Sequence, residues 1–143
     1  MNREKRPTIF DPLRQKRVVL TPEEQVRQLF VHHLIHDRGY PSLRIANEYS
    51  IKVGKLSRRC DTVVFSSTLR PLMIIEYKAP DIPLDQSVVD QAFRYNSTLQ
   101  VPFIVLYNGH HSLIYHVGYN GQATQQLNSL PSYEELLSCT KYM

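Results

Sequence analysis

The chain is poor in the residues that build disulfide or zinc scaffolds, with two cysteines, five glycines and no tryptophan among 143 residues. Cys60 and Cys139 lie far apart, so they offer neither a disulfide framework nor the paired spacing of a zinc site. Residues 1–17 lack the apolar core of a signal peptide. No apolar run approaches the roughly 20 residues that a membrane helix needs. A soluble cytoplasmic protein with no membrane partner is the expectation. Internal repeats and low-complexity segments are also missing. Acid is in modest deficit, 13 Asp and Glu against 17 Lys and Arg, for a formal net charge of +4. That balance suits a polyanion partner without requiring one, because a solvated basic face has the same composition. The length fits one domain with room for a core.

Residues 1–20 hold Arg3, Lys5, Arg6, Arg14, Lys16 and Arg17 with Pro7 and Pro12. They read as a basic arm ending in a short strand at Val18-Val19-Leu20. Thr21-Pro22-Glu23-Glu24 is a helix start, with Thr21 as N-cap, Pro22 as first helical residue and Glu24 as the returning carboxylate of a capping box. Val26, Leu29, Phe30, His33 and Leu34 follow at helical spacing, and Gly39 and Pro41 end the helix. A strand is expected over 43–53, stopped by Gly54. Two apolar runs, 59–65 and 72–78, read as the next strands. Residues 85–99 form a second helix, with Val88, Ala92, Tyr95 and Leu99 on one face. Phe103-Ile104-Val105-Leu106-Tyr107 has the continuous apolar character of a central strand. Asn108-Gly109 turns the chain into a strand over 112–117. Ser132 to Glu135 repeats the capping-box pattern before a last helix. Strand, helix and strand between 72 and 107 imply a parallel crossover in a mixed sheet. The fold class is α/β (α+β), in the order α-β-β-β-α-β with an extra C-terminal strand and helix. The core covers about 21–117, and 118–143 is an extension.

The two apolar runs carry ionisable residues that a purely structural strand avoids. Alternation sets Glu76 and Lys78 on one face of their strand, about 7 Å apart along it. If residues 67–70 are the hairpin loop, Ser66 pairs with Pro71, and the same register sets Asp61 opposite Glu76. Carboxylates so paired are roughly 4.5–5.5 Å apart at Cβ and repel. A shared proton, a basic neighbour or a divalent cation must offset that repulsion. Hard cations such as Mg²⁺ bind through one or two carboxylates and keep waters or phosphate oxygens as further ligands. A lysine beside such an ion can orient water or stabilise charge developing on a phosphoryl group. The plainer reading is an ion pair at a sheet edge. An acid facing Glu76-Tyr77-Lys78 within an apolar hairpin favours the site.

At these residues the chain resembles the PD-(D/E)XK nuclease superfamily. The details look closer to the N-terminal nuclease domain of type I restriction enzyme R subunits and to small stand-alone proteins of that group. Four passages carry the resemblance: Leu20-Thr21-Pro22-Glu23-Glu24-Gln25-Val26-Arg27-Gln28, Arg59-Cys60-Asp61, Ile75-Glu76-Tyr77-Lys78-Ala79-Pro80, and Gln91 with Tyr95. It spans roughly residues 10–117. It implies a restriction-endonuclease-like core, Asp61 and Glu76 as ligands of Mg²⁺ (with Mn²⁺ as substitute), and Lys78 as catalytic lysine. Gln91 would sit beside the site and touch DNA or the lysine, with Tyr95 one turn on. Cys60 stands where the superfamily label has proline. An acid from the first helix commonly completes such a site; Glu23 is favoured over Glu24, and Glu48 is a further candidate. Lys55, Arg58 and Arg59, with Gln91, are the candidate DNA contacts.

The function expected is Mg²⁺-dependent endonucleolytic hydrolysis of DNA, in restriction-modification. A catalytically weak nucleic-acid-binding or regulatory module and a dimeric junction-resolvase-like enzyme are the alternatives. Partners beyond DNA would be a second copy or other restriction or repair subunits. His32 and His36 lie one helical turn apart, but with no third ligand nearby they read as a solvated helix side. His110 and His111 follow a turn and read as exposed.

Overall fold

A computed structural model describes residues 6–140. Of the six basic residues that open the chain, Arg3 and Lys5 lie outside the described residues. Residues 8–19 form a hairpin of β1 (Thr8–Asp11) and β2 (Lys16–Val19) where only a short strand was expected. Its turn is tied down by Asp11, which is fully buried, accepts the Leu13 N–H and the Asn47 amide, and pairs with Arg14. A buried carboxylate needs such partners, and they couple this hairpin to the main sheet.

Helix α1 (Pro22–His36) begins as its sequence dictates. The Thr21 hydroxyl accepts the Glu24 N–H at 3.0 Å, and Pro22 fills the first position, where no N–H is needed. The Glu24 side chain does not return to the cap. It turns inward to Arg14 and Arg27. A 3-10 turn (Ser42–Arg44) leads to β3 (Ile45–Val53), β4 (Leu56–Phe65) and β5 (Pro71–Tyr77). Helix α2 (Gln86–Leu99) crosses to β6 (Phe103–Tyr107), followed by β7 (Ser112–His116), β8 (Gln125–Leu127) and α3 (Tyr133–Thr140). Strand β8 had no alternation strong enough to announce it. Before α3, Ser132 Oγ accepts the Glu135 N–H at 3.2 Å and Glu135 returns to the Ser132 N–H at 3.4 Å, a reciprocal capping box.

The architecture is mixed α+β: a six-stranded sheet in the order β3-β4-β5-β6-β7-β8, flanked by helices. Among the described strands only β5 and β6 pair in parallel, the arrangement expected of a crossover through α2. Val26, Phe30 and Leu34 of α1 and Leu136 of α3 pack on one sheet face with Val64, Met73, Ile75, Tyr77, Phe103 and Val105. Ala92 of α2, with Val88, Val89 and Phe93 at its edge, covers Ile104 and Leu106 on the other. Tyr95, placed on one face of α2 with Val88, Ala92 and Leu99, is 38% exposed.

The β4–β5 hairpin closes differently from the expected loop. Phe65 pairs with Pro71, Ser66 N–H bonds Arg70 O, and the register shifts between Val64 and Phe65. The longer loop and the bulge compensate, so Thr62, Val63 and Val64 face Ile75, Ile74 and Met73 in the anticipated register. The paired ladder ends at Thr62 and Ile75, one step short of Asp61 and Glu76.

Candidate functional site

Asp61 and Glu76 line a cavity of about 260 Å³ between the sheet and α2, with Ile74, Ala92, Tyr95 and Ile104 among its walls. Burial pushes both carboxyls above the ordinary carboxylate range. The Asp61 charge also raises Glu76 and the Glu48 charge raises Asp61, while the Lys78 ammonium draws both down. Asp61 is further held by the Tyr77 N–H, which donates to its Oδ2 at 2.9 Å. This contact lies just past Thr62 and Ile75, the last paired residues at this end of the β4–β5 ladder. The Lys78 N–H bonds the Tyr107 carbonyl at 2.9 Å, so β5 keeps its parallel partner to the lysine. Lys78 is half-buried and forms no ion pair among the described residues.

A second, smaller cleft meets Asp61 from the N-terminus of α1 and is lined by Thr21, Glu23, Glu24, Arg27, Glu48 and Tyr77. Two acids were candidates to complete the centre from α1. Glu24 is buried and already saturated, accepting from Arg14 at 2.5 Å, from both Nε and Nη2 of Arg27, and from Gln28 at 3.1 Å. Burial opposes its charge, but these donors hold its carboxyl below the usual range. Glu23 is exposed, carries no such bonds among the described residues, and lies near enough to raise Glu76.

Arg27 was not singled out from the sequence, where it reads as one more polar residue of an amphipathic helix. It is buried and makes four bonds from one guanidinium. Two go to Glu24 (2.9 and 2.8 Å), one to Glu48 Oε1 (2.8 Å) and one to the backbone carbonyl of Asp61 (2.9 Å). The signal that could have found it is the (i, i+3) pair Glu24–Arg27 at a helix start, where both side chains can face the sheet.

Glu48 stands opposite Asp61 in the β3–β4 register, between the pairs Asn47↔Thr62 and Tyr49↔Cys60, and is itself unpaired in the ladder. Its φ is +54°, a left-handed conformation that costs a non-glycine residue about 1–3 kcal/mol. Arg27 and Arg59 hold one carboxylate oxygen each, at 2.8 and 2.7 Å. The hairpin kinks here. Cys60 and Val63, which regular alternation would set on opposite faces, pack in one apolar cluster with Ile51. Burial there lifts the Cys60 thiol to about 11, so it is no nucleophile at neutral pH.

Gln91 and Tyr95 are both exposed, and the Gln91 amide donates to the Tyr95 hydroxyl at 2.9 Å. Gln91 makes no bond to Lys78. The Arg58 guanidinium lies 5.2 Å from the Tyr95 ring centroid, linking β4 to α2 across the cavity mouth. Lys55 and Arg59 are exposed further along the hairpin. Cys60 and Cys139 are both free. The His32 and His36 rings lie 4.2 Å apart with no further metal ligand beside them among the described residues.

Among the described residues no three His, Cys, Asp or Glu side chains gather as a preformed metal cage. Two carboxylates without nitrogen or sulfur donors do not suit zinc. They do suit Mg²⁺, which is content with one or two carboxylates and takes its other oxygens from water and phosphate. No described helix is long and apolar enough to cross a membrane.

No curated protein sequence matches the chain. Among solved structures it is similar to a fragment assigned as an HsdR subunit of a type I restriction enzyme from Vibrio vulnificus YJ016, at 22% identity and a TM-score of 0.60. That likeness covers 83% of this chain and 25% of the fragment. A second likeness is to DrdV, solved as a DNA complex, at 17% identity and a TM-score of 0.51, covering 82% of this chain and 12% of DrdV. The chain thus spans a quarter or less of these structures, and the likeness is one of fold. The family model for the type I restriction enzyme R protein N terminus matches residues 22–131, from the first residue of α1 to the threshold of α3. By that match over most of its length, the chain belongs to the family of the type I restriction enzyme R protein N terminus.

Proposed function

We propose that this protein hydrolyses DNA phosphodiester bonds with the help of Mg²⁺, Mn²⁺ serving in its place. The observation that carries this reading is the pair of half-buried carboxylates, Asp61 and Glu76, lining one cavity and both raised by burial beside the Lys78 ammonium. Such an arrangement is costly in an isolated sheet, and a bound cation relieves the cost.

Asp61 and Glu76 would hold the ion. It would polarise the scissile phosphate and lower the pKa of a bound water. Asp61 is fixed for this by the Tyr77 N–H on its carboxylate and Arg27 on its carbonyl. Lys78 would orient the attacking water or stabilise charge on the phosphoryl oxygens, for which a point charge without an ion pair among the described residues is suited. Glu23 is the better auxiliary acid, since Glu24 is fully engaged by arginines. Glu48 acts mainly by gripping Arg27 and Arg59. Gln91 and Tyr95, at the cavity mouth, would meet the DNA strand and not the lysine. Arg58, Arg59 and Lys55 would contact phosphates.

The test is cleavage of plasmid and single-stranded DNA with Mg²⁺ or Mn²⁺, together with metal titration followed by thermal melting. The reading fails if neither ion shifts the melting temperature and purified protein cuts neither DNA. A Lys78→Ala variant is expected to lose about 10²–10³-fold in rate. Parent-like activity in it removes the role given to the lysine.

A further inference from the structure

The stretch from Tyr49 to Cys60 carries Lys52, Lys55, Arg58 and Arg59 and no acid. Its charge equals the +4 of the whole chain, so the remainder is formally neutral. The structure gives this stretch a distinctive shape. Among the described residues, 49–53 and 56–60 pair only with each other, because the β4–β5 ladder begins at Thr62. Every residue from Lys52 to Arg59 is exposed. Gly54, at φ +59°, opens a two-residue turn with Lys55, the pattern of a tight hairpin that keeps two strands in firm register. The kink at Glu48 and Asp61 sets the direction of this arm. Ile51 and Cys60 anchor its root against Leu99 and Val101, at the end of α2.

We infer that the hairpin of residues 49–60 is an arm that lies in the major groove of duplex DNA and carries the duplex to the carboxylate site at its root. The inference deepens the proposed function and rests on DNA as the substrate. A two-stranded ribbon matches the major groove, about 12 Å wide, and is too broad for a minor groove of about 6 Å. The tip lies about 20 Å from Asp61 at the rise of a strand, so one groove contact and one scissile phosphate can be engaged together. Lys52 and Lys55, near the turn, meet phosphates flanking the groove. Val53 and Leu56 pair directly across the tip and are 39% and 47% exposed. They form a small apolar cap facing base edges, where thymine methyl groups are the matching surface. Ser57, Arg58 and Arg59 line the cavity that holds Asp61 and Glu76, so the arm and the site form one continuous surface.

The experiment is fluorescence anisotropy of an end-labelled duplex containing A·T tracts, titrated with protein in EDTA over a salt series. Three proteins are compared: the parent, Lys52→Gln with Lys55→Gln, and Lys16→Gln with Arg17→Gln as a charge-matched control on the N-terminal hairpin. The arm variant is expected to flatten the slope of log affinity against log salt by about 1.8, two phosphate contacts at about 0.9 each. The control is expected to keep the parental slope. Netropsin, which fills A·T minor grooves, is expected to leave binding intact. An unchanged slope in the arm variant, an equal flattening in the control, displacement by netropsin, or a parent that does not bind duplex each overturns the proposal. Because EDTA removes cleavage from the readout, a parent that shows arm-dependent binding but never cuts with Mg²⁺ keeps the arm and loses the nuclease reading.

Discussion

Replacing Arg27 with methionine removes the guanidinium beneath Asp61 while keeping a side chain of similar length against the sheet. Four bonds disappear, but their partners are not equally orphaned. Glu24 keeps Arg14 and Gln28, and Glu48 keeps Arg59 at the surface. The backbone carbonyl of Asp61 loses the side-chain donor it has from Arg27. Breaking one side of a buried ion pair costs about 3–5 kcal/mol. The remaining partners of the two glutamates argue for the lower end, about 3 kcal/mol. For a chain just below the 150-residue class, that lowers the melting temperature by roughly 10 °C. Arg27→Lys keeps the charge but cannot span both glutamates and the carbonyl, so it should fall between parent and methionine variant. The effect also has a sign in pH. Burial works against the Glu24 carboxylate, but Arg27 and Arg14 hold its folded pKa below the usual value. Its contribution is therefore present above the unfolded pKa and lost as pH falls through the folded one. The gap between parent and Arg27→Met should shrink as the medium is acidified below the ordinary carboxylate range. Urea denaturation at neutral and acid pH measures both. A loss under about 1 kcal/mol, or a gap that widens in acid, refutes the reasoning.

Glu76→Gln should behave oppositely in the absence of metal. Burial raises the folded pKa of Glu76, so its carboxylate costs stability above the unfolded pKa and nothing well below it. Melting in EDTA should show the variant more stable than the parent near neutrality, with the advantage fading in acid. Mg²⁺ should stabilise the parent by about 2.7 kcal/mol at one hundred times its dissociation constant and leave the variant unmoved. Tyr95→Ala removes a half-exposed ring and the cation–π contact with Arg58, so unfolding should change by about 1 kcal/mol or less. DNA affinity should fall more clearly than stability; a parental affinity would take Tyr95 out of the interface. Ser132→Ala breaks the reciprocal cap of α3 and should cost about 0.5–2 kcal/mol in denaturant titration.

Local rules reached far in this chain. Helix starts at Thr21 and Ser132 follow from side-chain oxygens that cap free N–H groups. The alternation of Ile74, Glu76 and Lys78 follows from the pleat. The parallel crossover through α2 follows from chain order and handedness. The register of the β4–β5 hairpin was legible as far as Thr62 against Ile75, although the loop that produces it was not. A five-residue turn and a bulge at Leu72 together shift the chain as the simpler four-residue loop would. Loop details depend on backbone conformations such as the φ of +63° at Leu69, which no residue type there announces.

The sequence alone determined which residues carry charge into an apolar hairpin and which face of β5 they occupy, because propensity, capping and alternation act over a few neighbouring residues. Only the tertiary structure decided how that charge is held. Arg27 meets Glu48 and the Asp61 carbonyl across 21 and 34 positions of chain. Asp11 reaches Asn47 from a hairpin that reads as a loose arm. The left-handed Glu48 bonds that same arginine through its carboxylate. Such contacts join distant segments, and a buried charge takes its partner from whatever the packed fold brings near.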